Sequence, residues 1–194
     1  MKGCMMLMDI EQTSSDKCWE ILSKEPCSGK KRKKRLEHVQ RVWLIVSWIL
    51  SELQLRVDID AVVDFQLLHK AVIFHDIAKF RFGGRKHHEK AEKILKGIFS
   101  WTEALYQCVD VIKAHKGEFA PAPAVAAEAA ILRMADKIDK ISQGKMEKFM
   151  DKYFDNMNKI ELFFEERDST IFDVFRESCA VAAGRCFSEM LLSS

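Results

Sequence analysis

What most limits the folds open to this chain is a shortage of turn-formers: its 194 residues include only 8 glycines and 3 prolines. A sandwich or barrel needs a turn signal about every 8–12 residues, and disordered linkers are richer still in these residues. Helices are what remains, and the apolar pattern supports them. Leu36, Val39, Trp43, Val46, Leu50 and Leu53 recur at steps of three and four, the wide apolar face of an amphipathic helix. No segment alternates with period two over any length, and no internal repeat is present. The expected fold class is therefore all-α, a compact core of about seven to nine helices.

Residues 1–30 read as a weakly patterned N-terminal extension with a short helix over Asp16–Ser23, ahead of Pro26 and Gly29. Residues 31–145 read as the helical core, and 146–194 as C-terminal helices packing on it. Within the core, Asp58-Ile59-Asp60 offers an N-cap for a helix running past the densely apolar Ala71-Val72-Ile73-Phe74 to Lys79, broken by Gly83-Gly84. The next helix begins near Lys86. Ser100-Trp101-Thr102-Glu103 has the form of a capping box, Gly117, Pro121 and Pro123 mark a loop, and a long helix is expected from Val125 to Ser142. At this length a globular chain buries about 70% of its unfolded surface, so neither a metal nor disulfides are needed for folding.

The 31 basic and 29 acidic residues leave a net charge of +2, so no overall field marks a nucleic-acid binder. One local run, Lys30-Lys31-Arg32-Lys33-Lys34-Arg35, could contact phosphates, but no aromatic residue interleaves with it, which weighs against nucleic acid as a partner. The six cysteines form no Cys-x-x-Cys pair and read as small hydrophobes in a reducing compartment. The most apolar stretch, Val42–Leu50, falls short of the roughly 18 residues of a membrane span. A soluble, cytoplasmic protein is the expectation, with homo-oligomerisation left open.

The chemistry concentrates in a few residues. His75-Asp76 closes the most apolar helix, where an unpaired carboxylate costs several kcal/mol and calls for a positive partner. A divalent ion would serve, since His nitrogen with Asp oxygen suits Zn, Mn or Fe. His38 shares a helical face with Val42, Ile45 and Ile49 and points inward. Asp136 follows Leu132 by one turn and Ala129 by two, again toward an apolar side. Each residue alone is more simply a hydrogen-bonded core group; together, on three helices, they form a candidate ligand set.

This pattern resembles the HD-domain superfamily of metal-dependent phosphohydrolases: a His, a His-Asp pair and a final Asp on a helical core, here His38, His75-Asp76 and Asp136. Arg35-x-x-His38-x-x-x-Val42 is similar to the first motif of that family. Phe74-His75-Asp76-Ile77-Ala78-Lys79 looks like its His-Asp signature, with Ala78 in place of the common Gly, and Ile131–Asp139 resembles the last motif. The resemblance spans about residues 31–145 and implies one or two divalent ions, among Mn, Fe, Co, Ni, Zn and Mg. His87 and His115 match the further ligands of binuclear members, with Asp76 bridging; His88 competes with His87 for its register. Lys116 stands where some members carry another His. The implied reaction is hydrolysis of a phosphate ester or anhydride of a small phosphorylated substrate, foremost a nucleotide, with Asp76 and Lys79 at the reacting phosphate. Lys79, Arg81, Arg85 and Lys86 are the candidate anion-binding residues. An HD-type di-iron oxygenase and a non-catalytic nucleotide-sensing module are the competing readings. The string around Asp136 is also similar to the accessory helical domain of exopolyphosphatases.

Overall fold

A computed structural model describes residues 7–82, 87–165 and 169–192. Among these the chain forms α1 (Ser15–Lys24), α2 (Gly29–Gln54), α3 (Phe65–Phe74), α4 (Ile77–Phe82), α5 (His87–Leu95), α6 (Glu103–Ala114), α7 (Ala126–Ser142), α8 (Met146–Glu165) and α9 (Ser169–Leu192), with 3-10 turns at Ile59–Ala61 and Pro123–Val125. The fold is all-α. The only β feature among the described residues is an isolated bridge between Met8 and Phe99. No helix among them is long and apolar enough to cross a membrane.

The axis of the molecule is α7, which packs against α2, α3, α6, α8 and α9. Surrounded in this way, it buries all but a few of its side chains, including Glu128, Arg133, Asp136, Lys137 and Asp139. Alanines at 126, 129, 130 and 135 let neighbouring helices approach it closely, and the polar residues among them must find partners within the protein. α2 packs against α7 and α9 and buries Val39, Val42, Ile45, Val46, Ile49, Leu50 and Leu53. Of the stripe read from the sequence, Val39, Val46, Leu50 and Leu53 are in the core while Leu36 and Trp43 are half-buried, so the buried face is turned toward Val42, Ile45 and Ile49. α3 inserts Leu67, Leu68, Ala71, Val72, Ile73 and Phe74 between α1, α2, α6 and α7.

Several boundaries differ from the sequence expectation, each for a local reason. Asp58-Ile59-Asp60 opens a 3-10 turn, and the cap of α3 is Asp64, whose side chain accepts from the Leu67 N–H. The helix expected to run to Lys79 stops at Phe74. His75 and Asp76 form a turn, and α4 restarts at Ile77. At α6 the capping side chain is Thr102, accepting from Leu105 N–H, two residues beyond Ser100. The chain start also does more than extend: Ile10, Cys18 and Leu22 are fully buried, α1 packs on α3, and Met8 exchanges backbone hydrogen bonds with Ile98 and Ser100. Gly83, Gly84, Arg85 and Lys86, and the side chains of His88 and Thr170, lie outside the described residues.

Candidate metal centre

Two helix ends carry the deepest histidines. His75 is the C-cap of α3 and His115 the C-cap of α6. The last carbonyls of a helix lack intrahelical partners. Each ring supplies one, with Nδ1 donating back three residues, from His75 to the Val72 carbonyl at 2.7 Å and from His115 to the Ile112 carbonyl. A carbonyl can only accept, so Nδ1 bears the proton and the lone pair is on Nε2 in both rings. His38, on the inner face of α2, is fixed likewise: its Nδ1 donates to Asp139 Oδ2 at 2.7 Å.

With Nδ1 committed in each ring, the Nε2 atoms of His38 and His75 point at one another. His38 Nε2 lies 3.3 Å from His75 Nε2, 3.2 Å from Asp76 Oδ2 and 3.4 Å from Asp136 Oδ1. On the other side of Asp76, Oδ1 lies 2.9 Å from His87 Nε2, and the His87 ring is 5.4 Å from that of His115. Ligand atoms of His38, His75 and Asp76 all fall within 4.8 Å of one another, as do those of Asp76, His87 and His115. Asp76 belongs to both groups. Asp76 and Asp136 are each 1% exposed, and the Oδ1 of each accepts no hydrogen bond from the described residues. With both rings neutral, two lone pairs would face across 3.3 Å beside under-satisfied buried carboxylates, an arrangement that a cation relieves, whether a proton or a divalent ion, and the donors fit the latter.

The electrostatics agree. Burial alone would push His38 down, but Asp136, Asp139 and Asp76 outweigh it and hold its pKa up at about 10. Burial takes His75 down to about 4 and His115 well below the usual histidine value. Against their burial, Asp76 is held well below the carboxylate range by His75, His38, His87 and Lys79, and Asp136 by Lys137, His38, Lys140 and Lys116. At that pKa His38 also bears a proton on Nε2 near neutral pH, between Asp76 and Asp136, the place where a divalent ion would bring more positive charge.

A second layer of residues holds these in place. Asp139, absent from the candidates read from the sequence, accepts from His38 Nδ1 and from Arg41 Nε at 2.7 Å, and also from Ser142 and Gln143. Its pKa is brought down to about 2, against the opposing effect of burial, by His38 and Arg41. Arg133 is the largest fully buried side chain and has no carboxylate in contact. It donates to the Ala114 and Gly117 carbonyls at 2.7 Å each and to Asn156 Oδ1 at 2.6 Å. Lys137 reaches the His115 carbonyl at 3.3 Å and Asp136 Oδ2 at 2.8 Å. Gly117, at φ 74°, adopts the left-handed turn that follows His115. The one sequence signal for this layer was the Asp136-Lys137-Ile138-Asp139 spacing, which sets two carboxylates on one helical face.

A sequence model of the HD domain matches residues 35–141, more than half of the chain. This chain belongs to the HD domain family. HD domain proteins form a superfamily of metal-dependent phosphohydrolases and bind divalent ions, and the His/Asp cluster of this HD domain fits that chemistry. No curated protein matches the chain. No solved structure matches it either.

Of the candidates read from the sequence, the structure gathers His38, His75, Asp76, Asp136, His87 and His115 around one point, with Lys79 ion-paired to Asp76 Oδ2. Lys79 stays protonated: although burial opposes it, Asp76 and Asp136 raise its pKa. Arg81 is a correction. Expected to guide an anion, it forms a two-point pair with Glu25, a buried carboxylate just past α1, and so ties α4 to the N-terminal segment. Arg85 and Lys86 lie outside the described residues. Lys116 sits 3.2 Å from His87 Nε2, and its pKa is lowered to about 8, chiefly by burial. Outside the cluster opens a cleft of about 490 Å³ whose walls include Lys34, Arg35, Arg41, Lys79, Lys140 and Lys145.

Proposed function

We propose that this HD domain is a metal-dependent hydrolase of phosphate esters or anhydrides that acts on a small phosphorylated molecule, nucleotides being the first class to test. In this reading His38, His75, Asp76 and Asp136 hold one divalent ion, and Asp76, His87 and His115 hold a second. What carries it is the pair of ligand-competent groups sharing the Asp76 carboxylate, its two oxygens turned to opposite sides. A bound divalent ion supplies Lewis acidity toward phosphoryl oxygens and makes water a better nucleophile at neutral pH.

The rest of the work falls to the side chains. Asp139 fixes the tautomer of His38, and the α3 and α6 carbonyls fix those of His75 and His115, so no reorientation is required when a ligand enters. Lys79, protonated and partly exposed at the cleft floor, is placed to neutralise charge on a phosphoryl oxygen as it builds. Buried rings and aliphatic walls behind the cluster exclude bulk water, which strengthens these electrostatic effects.

The test is elemental analysis of protein purified without added metal, followed by a phosphate-release screen over nucleotides, sugar phosphates and polyphosphate with Mn, Fe, Co, Ni, Zn and Mg. The expected result is bound metal and metal-dependent release, both abolished in the His75→Ala, Asp76→Ala double variant. Two equivalents of iron with a mixed-valence signal and no phosphate released would point instead to an oxygenase. Unchanged metal content in the double variant would refute the ligand assignment.

A further inference from the structure

The cleft outside His38 and Asp76 carries more positive charge than the cluster uses. Of its six cations, Arg41 is committed to Asp139 and Lys79 to Asp76. The other four have no close carboxylate. Arg35 contacts the Cys27 thiol at 3.1 Å and the Phe80 ring, Lys140 comes no nearer than 3.9 Å to Asp136, Lys145 rests on the Gln143 amide oxygen, and Lys34 has no ion pair among the described residues. Glu37 is the only further carboxylate among the described lining residues. Beyond Lys34 the surface continues as a groove of about 400 Å³ lined by Lys30, Lys31, Lys33, Lys34 and Glu37, with Glu37 3.9 Å from Lys33. Their helix begins at Gly29 with no acidic residue in its first turn and no side-chain cap from Ser28, so the lysines crowd its positive end and repel. Such a strip sets up a local positive potential that draws an anion along it.

The same walls lack what a nucleoside needs. No Phe, Tyr or Trp ring lines the cleft or the groove among the described residues, and the His38 imidazole is turned into the Asp cluster, so a base has no stacking platform there. Multiple cations, a path that continues away from the cluster and no apolar platform together describe a receptor for repeated phosphate groups.

We propose that this cleft and groove bind a chain of condensed phosphate, and that the preferred substrate is linear inorganic polyphosphate cut at its terminal anhydride. The inference rests on the phosphohydrolase reading above and narrows it. In the reaction the oxygen of water bonds to the terminal phosphorus, and the bond from that phosphorus to the bridging oxygen breaks. Its electron pair goes to the shortened chain, and the proton lost by water passes to solvent. Lys140, Lys145, Arg35 and Lys34 hold the remaining chain.

The test compares kcat/KM for tripolyphosphate, ATP, AMP and p-nitrophenyl phosphate on the metal-loaded protein, and repeats it with the Lys34→Ala, Lys140→Ala, Lys145→Ala triple variant. Tripolyphosphate is expected to be the best substrate, and the triple variant to lower the tripolyphosphate to p-nitrophenyl phosphate ratio by about tenfold or more, as loss of charge-assisted contacts demands. A ratio that does not change, ATP preferred over tripolyphosphate, or an oligonucleotide competing as well as polyphosphate of equal charge would overturn the proposal. Release of phosphate from none of these compounds would mean that the hydrolase reading has failed. Titration calorimetry with tripolyphosphate then decides the subsite separately: binding that the triple variant loses supports it, and no binding refutes it.

Discussion

His75 and His115 are seated by one device, a ring that caps the end of its own helix, yet the two sides of the site are braced by different chemistry. On the His38 side the brace is a charge network: Asp139 grips His38 and is itself held by Arg41, Ser142 and Gln143. On the His115 side it is a backbone clamp, in which Arg133 and Lys137, one turn apart on α7, hold the carbonyls of Ala114, His115 and Gly117. A charge network tunes a ligand's basicity as well as its position; a backbone clamp only places the ligand. The two sides should therefore fail differently when disturbed.

Asp76 is common to both, and its loss should have the largest effect. Asp76→Ala is expected to empty both positions and to cut phosphate release by about 10³-fold or more, the several kcal/mol that ion catalysis supplies. Metal content and single-turnover rate check this; retention of one full equivalent would contradict a shared carboxylate. Next comes the clamp. Arg133→Met removes the donor from two buried acceptors, the Ala114 carbonyl and Asn156 Oδ1, and from the exposed Gly117 carbonyl, and should cost about 2 kcal/mol of stability, read as a shift in denaturation midpoint. It should also weaken metal binding on the His87–His115 side while sparing the other. The charge network comes third: Asp139→Asn keeps the shape but not the charge and should lower affinity on the His38 side by about 10- to 100-fold, as chelator competition would reveal, and cost about 1–2 kcal/mol of stability near pH 7 because His38 and Arg41 lose the carboxylate they hold.

The smallest effect marks the boundary of the site. Glu128, at the first turn of α7, is 2% exposed and accepts from the Asp64 N–H at 2.6 Å, while its other oxygen has no hydrogen-bond partner. Burial raises its pKa. Native structure therefore favours the protonated acid, and this contribution is lost as pH rises from the ordinary glutamate value through the raised one. Glu128→Gln should match the parent near pH 4 and exceed it by up to about 1 kcal/mol near pH 7, with metal content unaltered. Equal stability at both pH values would show that this carboxylate pays no burial cost.

The parts of this architecture visible in the sequence are those that depend on period and order. The α2 stripe, the buried character of α3 and the extent of α7 follow from apolar spacing. His38, His75, Asp76, Asp136, His87 and His115 follow from motif order, and the structure gathers them. What escaped depends on partners distant in sequence. Arg41 and Asp139 are 98 positions apart, and beyond the spacing of Asp139 from Asp136 nothing local distinguishes either from an ordinary surface ion. Arg133 reads as a helix-favouring residue until its neighbours on α6 and α8 are in place. The break after Phe74 was hidden because His75 caps α3 with its own side chain, a stop signal unlike the usual Gly or Pro. Arg81 failed in the opposite sense: its charge suggested an anion, but Glu25 had already claimed it.

The most direct test of the shared-carboxylate site is anomalous diffraction from crystals grown with Mn. The expected result is two peaks flanking the Asp76 carboxylate, one within bonding distance of His38, His75 and Asp136 and the other of His87 and His115. A single peak that leaves either group of histidines without an ion, or peaks that avoid Asp76 altogether, would contradict it.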